Sequence, residues 1–155
     1  IYEGANGIQA LDLVGRKLPK DGGRAAMAFF REVGDFIRAH DGEPGLQPFT
    51  RPLKKGLDDL QAATMWFMGN AMTKPDHAGA GASDYMHLMG LVALGLMWGR
   101  IAATVVAKPG LPDGIRADLA AGRVFMERMM PETALRLARI TAGADTLMAI
   151  PAEAF

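Results

Sequence analysis

Apolar residues recur every three or four positions through most of the chain, which is the spacing of one face of an α-helix. The first such stretch runs from Asn6 to Leu18, where Pro19 and the turn-forming residues after it should end the helix. A second amphipathic helix is predicted over Arg24 to His40. The expected buried faces are Ile8, Leu11, Val14 and Leu18 in the first helix, and Ala26, Phe29, Phe30, Val33, Phe36 and Ile37 in the second.

Two further helical stretches follow a turn-rich loop that should reach about Thr50. The third helix alternates spacings of three and four, as antiparallel helices do where they pack, and should end near Lys74–Pro75. The segment Gly79–Ala82 is expected to be flexible, with Ser83 as the N-cap of a fourth helix that reaches about Ala107. The seam of the third helix consists of Leu53, Leu57, Leu60, Thr64, Phe67 and Ala71.

The fourth helix is apolar on almost every side, which is typical either of the buried centre of a bundle or of a membrane span. Arg100 in its middle and His87 near its start are both disfavoured in hydrocarbon, so we expect a central helix and no transmembrane segment. Its glycines Gly90, Gly95 and Gly99 weaken the helix but allow another backbone to approach closely. Peripheral membrane attachment ranks last, because no amphipathic face rich in Lys and Arg is visible.

A last helix is predicted after a turn at residues 108–112, with Asp113 as its N-cap. Pro131 lacks an amide proton, so it should kink this helix or break it into two, and Gly143 should end it. No alternating strand pattern occurs, so the predicted fold class is all-α, an up-and-down four-helix bundle preceded by a short helix. The apolar face of the last helix comprises Ile115, Leu119, Met126, Met129, Thr133, Leu137 and Ile140.

Composition narrows the possible functions. The 155 residues include 17 basic and 17 acidic side chains, so no net field attracts polyanions, and nucleic acid is not an expected partner. There is no cysteine, which excludes disulfide scaffolds, thiolate metal sites and cysteine nucleophiles. The chain begins with Ile1 and shows no secretory signal, so it is expected to be a fragment entered within a longer, cytoplasmic protein.

The most specific motif opens the chain, where residues 1–9 read Ile-Tyr-Glu-Gly-Ala-Asn-Gly-Ile-Gln. This segment resembles the Tyr-Glu-Gly-Thr-x-x-Ile-Gln signature of acyl-CoA dehydrogenases, and the likeness continues through Leu18. Residues 141–148 resemble the tail of one branch of that family, which includes enzymes similar to 3-methylmercaptopropionyl-CoA dehydrogenase and carries an extra helical domain. The resemblance implies that residues 1–18 end the dehydrogenase's own helical domain and that residues 19–155 form the extra four-helix domain.

In that family a glutamate removes the α-proton of an acyl-CoA thioester while hydride leaves the β-carbon for FAD, which yields the 2,3-enoyl-CoA. The resemblance implies that Glu3 is the catalytic base, a role that suits a carboxylate whose pKa is raised toward neutrality by burial. Gly4 would lie beside the substrate, since a residue without a side chain lets the acyl chain approach. Ala5, Asn6 and Gly7 would contact FAD, although Ala5 lacks the hydroxyl of the family's threonine.

The resemblance also implies partners. Electrons would pass to an electron-transferring flavoprotein, and the bundle would pack against the remainder of its own chain in a homo-oligomer. The isolated chain is expected neither to bind FAD tightly nor to turn over acyl-CoA, because most flavin contacts would lie outside it. Two alternatives stay open: Glu3 is only a charge near a helix start, and the bundle is a non-catalytic helical interaction domain.

Other chemically interesting side chains allow two interpretations each. The basic residues Arg51, Lys54 and Lys55 begin the third helix, where they form either a solvated cluster or a contact for an anionic ligand. Trp66 and Trp98 lie between bundle helices or between the bundle and the rest of the enzyme.

The histidines His40, His77 and His87 are not spaced to surround a metal ion, so no metal site is expected. The methionines suit a pliant binding groove but more often fill a core at helical spacing. Those in question are Met65, Met68, Met72, Met86, Met89, Met97, Met126, Met129 and Met130.

Overall fold

The structure of the protein, a computed structural model, describes residues 5–71, 73–108, 110 and 113–154. Every regular element in these ranges is helical, which confirms the all-α prediction. Two π-helical segments, Leu13–Lys17 and Phe125–Met129, and two 3-10 turns, Lys20–Gly23 and Ala152–Ala154, accompany the α-helices. In chain order the α-helices are α1 (Asn6–Asp12), α2 (Arg24–His40), α3 (Gln47–Asn70), α4 (Pro75–Ala107), α5 (Asp113–Val124), α6 (Glu132–Ala142) and α7 (Asp145–Met148).

The long helices alternate in direction, as an up-and-down bundle requires. Helix α3 contacts α2, α4 and α6, and α4 contacts α6 along its length. Early residues of α3 lie against late residues of α4, and the same reversed order holds between α4 and α6. The contacts that show this are Leu53 with Gly95, Phe67 with Gly81, Met130 with Gly95, and Ile140 with Gly81.

Helix α4 lies at the centre of the bundle, as its apolar pattern predicts. It contacts α1, α2, α3, α5 and α6, and Tyr85, Leu88 and Val92 on its inner side are fully buried. Among the described residues it is also the helix long and apolar enough to cross a membrane, with a mean hydropathy of 1.7 over its most apolar 18 residues. A core helix passes the same test, and 39% of that stretch is buried within the bundle.

The start of α4 differs from the prediction. The segment Gly79–Ala82 is helical, and α4 begins at Pro75, so the N-cap role predicted for Ser83 is wrong. Proline suits the first turn of a helix, because its missing amide proton would be unpaired there anyway. Gly81 serves close packing: a Cβ at this position would lie 2.8 Å from the ring of Phe67.

Helix α3 begins earlier than expected, at Gln47 rather than after Thr50, and it ends at Asn70. Pro48 falls in the first turn, where proline is tolerated, and Pro52 falls in the second. Leu46 and Thr50 are both buried, so the packing of this segment outweighs its turn-like composition.

The last helical rod is divided in two at the predicted position. The π segment Phe125–Met129 leads into Pro131, after which α6 begins at Glu132, so the structure has two separate helices, one of the two predicted outcomes. Gly143 ends α6 with a φ of 70°, a value that favours glycine. Residues 109, 111 and 112 of the predicted turn lie outside the described residues, as do the side chains of Asp113 and Ile115.

Two of the three glycines predicted to allow close packing in α4 do so. Side chains rather than a backbone approach them: Leu53 and Met130 lie over Gly95, and Phe36 lies over Gly99. Gly90 is different, because a Cβ at this position would meet nothing within 4 Å among the described residues.

Candidate active site

The segment that resembles the dehydrogenase signature leads into α1. Glu3 and Gly4, the predicted base and substrate neighbour, lie outside the described residues. Ala5, Asn6 and Gly7 are described and exposed, and α1 starts at Asn6. The Ala5 carbonyl accepts the amide proton of Gln9 at 2.8 Å, which closes the first turn of the helix.

Helix α1 and the π segment that continues it are held against α4. Ala10, Val14 and Leu18 are buried there, so half of the predicted apolar face is confirmed. Ile8 and Leu11 are 69% and 52% exposed, and for these two residues the prediction is wrong. The π turn, whose hydrogen bonds span five residues, is the reason: it brings Leu18 into line with Ala10 instead.

An exposed ion cluster links α1 to the π segment. The Asp12 carboxylate accepts hydrogen bonds from the Arg16 guanidinium, and Lys17 Nζ lies 3.1 Å from its second oxygen. The hydrogen bonds from Arg16 and then from Lys17 lower the pKa of Asp12 to about 2. The pairing thus holds together the junction at which the helix changes its hydrogen-bonding pattern.

The surface above the start of α1 is open. A Cβ at Gly7 would meet no described atom within 4 Å, and no side chain caps the first turn. Ala5, Asn6 and Gly7 are therefore accessible to a ligand but do not enclose one.

The three histidines serve local structure. His77 is buried beside Trp66, and its Nδ1 accepts the amide proton of Ala144 at 2.9 Å. His40 contacts Glu43 at 2.9 Å, and His87 lies 2.7 Å from a main-chain oxygen one turn earlier. In the part of the chain that the structure describes, no three acidic or histidine side chains are grouped to hold a metal ion.

The tryptophans and the basic cluster can also be placed. Trp66 packs beside Phe67 and His77, and Trp98 lies over Gly122 of α5, so both contact other bundle residues. Lys55 pairs with the buried carboxylate of Asp59, whereas Arg51 and Lys54 are exposed.

Comparison with known proteins places the helical region of the chain in one family. Residues 29–151, which run from α2 beyond α7, match the family model described as "Acetyl-CoA dehydrogenase C-terminal like". The chain belongs to this family of acyl-CoA dehydrogenase C-terminal regions. It is also similar to a 3-methylmercaptopropionyl-CoA dehydrogenase from Ruegeria pomeroyi, with 31% identity over 156 residues and 96% of this chain covered.

The match covers 26% of that relative, so the chain spans about a quarter of its length.

Within this acyl-CoA dehydrogenase region, the structure contains a polar link that the sequence pattern did not reveal. Thr133, predicted as part of an apolar face, donates a hydrogen bond to the buried Asp59 carboxylate at 2.8 Å and thereby joins α6 to α3. The Lys55 to Asp59 spacing of four residues is typical of an exposed ion pair, so it contains no signal of the link to Thr133.

Proposed function

We propose that the full-length protein is an acyl-CoA dehydrogenase that oxidises an acyl-CoA thioester to its 2,3-enoyl-CoA. The observation that carries this proposal is the Tyr-Glu-Gly motif in the sequence just before α1, a helix that packs on the bundle through Ala10, Val14 and Leu18. In this proposal residues 1–18 belong to the catalytic part of the enzyme, and residues 19–155 form the additional domain. The family assignment and the dehydrogenase relative support it.

Glu3 is proposed as the base that takes the α-proton of the thioester. Its main-chain amide would donate a hydrogen bond to the thioester oxygen, which stabilises the negative charge that develops there. Gly4 would leave room for the acyl chain beside the carboxylate. The α-carbon of the thioester and the Glu3 carboxylate would then be held in contact, as proton transfer requires.

Residues Ala5, Asn6 and Gly7 are proposed as neighbours of FAD. When bound, FAD supplies the acceptor for the hydride that leaves the β-carbon of the substrate. The three residues fit such a contact because they are exposed and because the space above Gly7 is open. They offer a side-chain amide from Asn6 but no hydroxyl at Ala5, so tight binding requires further contacts from the rest of the protein.

The test is anaerobic addition of acyl-CoA to the full-length flavoprotein, followed by the loss of flavin absorbance. We would add 3-methylmercaptopropionyl-CoA and straight-chain acyl-CoA thioesters in separate titrations. Glu3→Gln should abolish the bleaching while FAD content stays at the wild-type level, because the amide cannot accept the proton. Glu153→Gln, a change at an exposed glutamate of the last turn, is the matched control and should bleach normally. Wild-type bleaching by Glu3→Gln would contradict the assignment of the base.

The isolated chain of 155 residues should neither retain FAD through gel filtration nor bleach added FAD with acyl-CoA. Bleaching by this chain alone would show that its own residues complete the site. Electron transfer is tested separately, by measuring whether an electron-transferring flavoprotein accelerates reoxidation of the reduced full-length enzyme.

A second function, packing between subunits, is favoured by an exposed apolar strip on α4. Leu94, Met97 and Ile101 are 52%, 43% and 40% exposed, and their spacings of three and four place them on one face. The salt bridge between Arg100 and Glu32, with 2.6 Å between its atoms, borders this strip. An apolar helix face with a charged border suits pairing with the same helix of a second copy in a homo-oligomer.

Sedimentation of the full-length protein tests this second function. A triple change of Leu94, Met97 and Ile101 to glutamine should lower the oligomeric mass, whereas Met65→Gln, at an exposed methionine of α3, should leave it unchanged. Deletion of residues 21–155 should have the same effect as the triple change if the bundle forms the subunit contact. If both variants keep the same number of subunits as the wild-type protein, this packing function is excluded and catalysis remains the proposed role.

A further inference from the structure

His77 is a buried histidine in the first turn of α4, and it contacts the residues that follow α6. Its side chain packs against α3, where its ring centre lies 5.4 Å from that of Trp66. The end of α6 lies on the ring as well, because a Cβ at Gly143 would be 3.0 Å from two imidazole atoms. The ring is therefore enclosed between α3 and the end of α6.

The hydrogen bond made by this ring has only one possible direction. Nδ1 of His77 lies 2.9 Å from the main-chain nitrogen of Ala144. A main-chain amide can only donate, so Nδ1 accepts, and the neutral ring carries its proton on Nε2. A doubly protonated ring would instead turn a second N–H toward the Ala144 amide, so the hydrogen bond would be lost and two donors would face each other.

The other two histidines of the chain make bonds that a proton would not break. Nδ1 of His87 lies 2.7 Å from the main-chain oxygen of Ser83, which can only accept, so this nitrogen donates in the neutral and in the protonated ring. Nδ1 of His40 lies 2.9 Å from the Glu43 carboxylate, which also accepts a proton from a charged ring. Protonation therefore conflicts with the observed hydrogen bond at His77 and not at these two.

The segment that depends on this hydrogen bond, residues 144–154, has few other contacts with the bundle. Ala144 is buried, whereas each described residue from 145 to 154 is exposed. A salt bridge of 3.0 Å joins Asp145 to Lys74, but both side chains are more than half exposed, and ion pairs of this kind contribute little. Segments with so little buried surface are the ones that open locally while the rest of a protein stays folded.

The charged groups of the elements around His77 offset one another. Lys74 pairs with Asp145 and lowers the pKa of that carboxyl, so the carboxylate stays charged wherever histidine titrates. Asp76 precedes the ring at the exposed start of α4, and Arg139, the last charged residue of α6, lies 3.7 Å from an aspartate of α4. The second half of α3 contains no charged residue. The direction of the hydrogen bond therefore decides which form of the ring fits.

We propose that His77 is a pH-sensitive switch that holds residues 144–154 on the bundle when its ring is neutral and releases them when the ring is protonated. Because the docked segment requires the neutral ring, docking is complete at high pH and is lost as pH falls. Free histidine side chains are half protonated near about pH 6.5, so the docking equilibrium should fall up to about thirtyfold from about pH 7.5 to pH 5. The switch involves neither Glu3 nor the exposed strip of α4, so it is independent of both proposed functions.

Hydrogen–deuterium exchange of the full-length protein at about pH 7.5 and pH 5, corrected for the pH dependence of chemical exchange, tests the switch. The amides of Ala144 and Met148 are hydrogen-bonded in the docked segment. Peptides that contain them should lose up to about thirtyfold of their protection at the lower pH, whereas peptides from residues 53–67 of α3 should keep theirs. Equal protection of the segment at both pH values would overturn the proposal. Loss of protection in α3 as well would also overturn it, because the bundle rather than the segment would then open.

Three variants assign the pH response to one ring. His77→Asn supplies an amide oxygen in place of Nδ1 but does not titrate, so the segment should stay protected at both pH values. His77→Phe keeps an aromatic ring beside Trp66 without an acceptor, so protection should be low at both. His87→Asn is the matched control on the same helix and should keep the wild-type response. A response that persists in His77→Asn, or disappears in His87→Asn, would refute the assignment. Should His77→Phe fail to fold, as judged by circular dichroism, the two asparagine variants decide the question.

Discussion

Replacing each of two buried threonines with valine should lower stability at one position and not at the other. Thr133 and Thr50 are 1% and 0% exposed, so they are matched in burial. The hydroxyl of Thr133 donates to the Asp59 carboxylate at 2.8 Å. Within the described ranges the hydroxyl of Thr50 is buried without a hydrogen-bond partner. Valine has the same shape as threonine but no hydroxyl, so each substitution isolates the hydrogen bond.

The expected magnitudes follow from the partners of each hydroxyl. A hydrogen bond to a charged group contributes about 1.5–3 kcal/mol, and Thr133→Val also leaves the Asp59 carboxylate with one donor fewer. For a chain of 155 residues each kcal/mol corresponds to roughly 2–4 °C in melting temperature, so Thr133→Val should lower it by roughly 3–12 °C. Thr50→Val should leave the free energy of unfolding unchanged or raise it by about 1 kcal/mol.

Thermal and urea unfolding, followed by circular dichroism, measure both changes under the same conditions. Equal losses of stability in the two variants would refute the reasoning, because burial rather than the hydrogen bond to Asp59 would then decide the cost. Asp59→Asn adds a further check. It keeps an acceptor for Thr133 but removes the charge, and its cost should be smaller when Thr133 is already valine.

Two further predictions concern close packing and high pH. Gly122→Ala should lower the free energy of unfolding by about 1–3 kcal/mol, since the new Cβ would lie 2.7 Å from the ring of Trp98. The control Gly90→Ala should raise it by up to about 1 kcal/mol in the same urea titration. Burial raises the pKa of Tyr85 to about 12, above the unfolded value of about 10. The fold thus favours the neutral phenol, so stability is complete below pH 10 and decreases by up to about 1.4 kcal/mol per pH unit as pH rises to 12. Tyr85→Phe should remove this part of the pH dependence, and an identical loss in that variant would assign it to other groups.

The spacing of apolar residues in the sequence was sufficient to predict the long helices and their order along the chain. The spacing of apolar residues predicted α2 with its observed bounds, and the all-round apolar pattern predicted the central position of α4. What failed depended on contacts between distant residues. Gly79–Ala82 has the composition of a flexible segment, yet it is helical, and the ring of Phe67 occupies the space that a side chain at position 81 would need.

The candidate active site was predicted from the family resemblance alone, and Glu3 and Gly4 remain predictions because they lie outside the described residues. The exposure of Ile8 could not be predicted from its spacing, since a π turn leaves no clear signal in the sequence and changes which residues share a face. The methionine pattern predicted core filling for part of the set. Met126 and Met130 fill the core, whereas Met65 and Met68 are exposed.

The π turn at Leu13–Lys17 determines where the chain tolerates a change in length. A helix advances by about 100° per residue, and the wider turn takes up one residue more than an α-helix does. Loss of one residue within the π segment would convert it to regular α-helix and leave Ala10 and Leu18 on their present sides. Loss of one residue within Asn6–Asp12 would instead rotate the Glu3 segment by about 100° relative to α4. Related proteins should therefore differ in length at the π segment and keep a constant length before it.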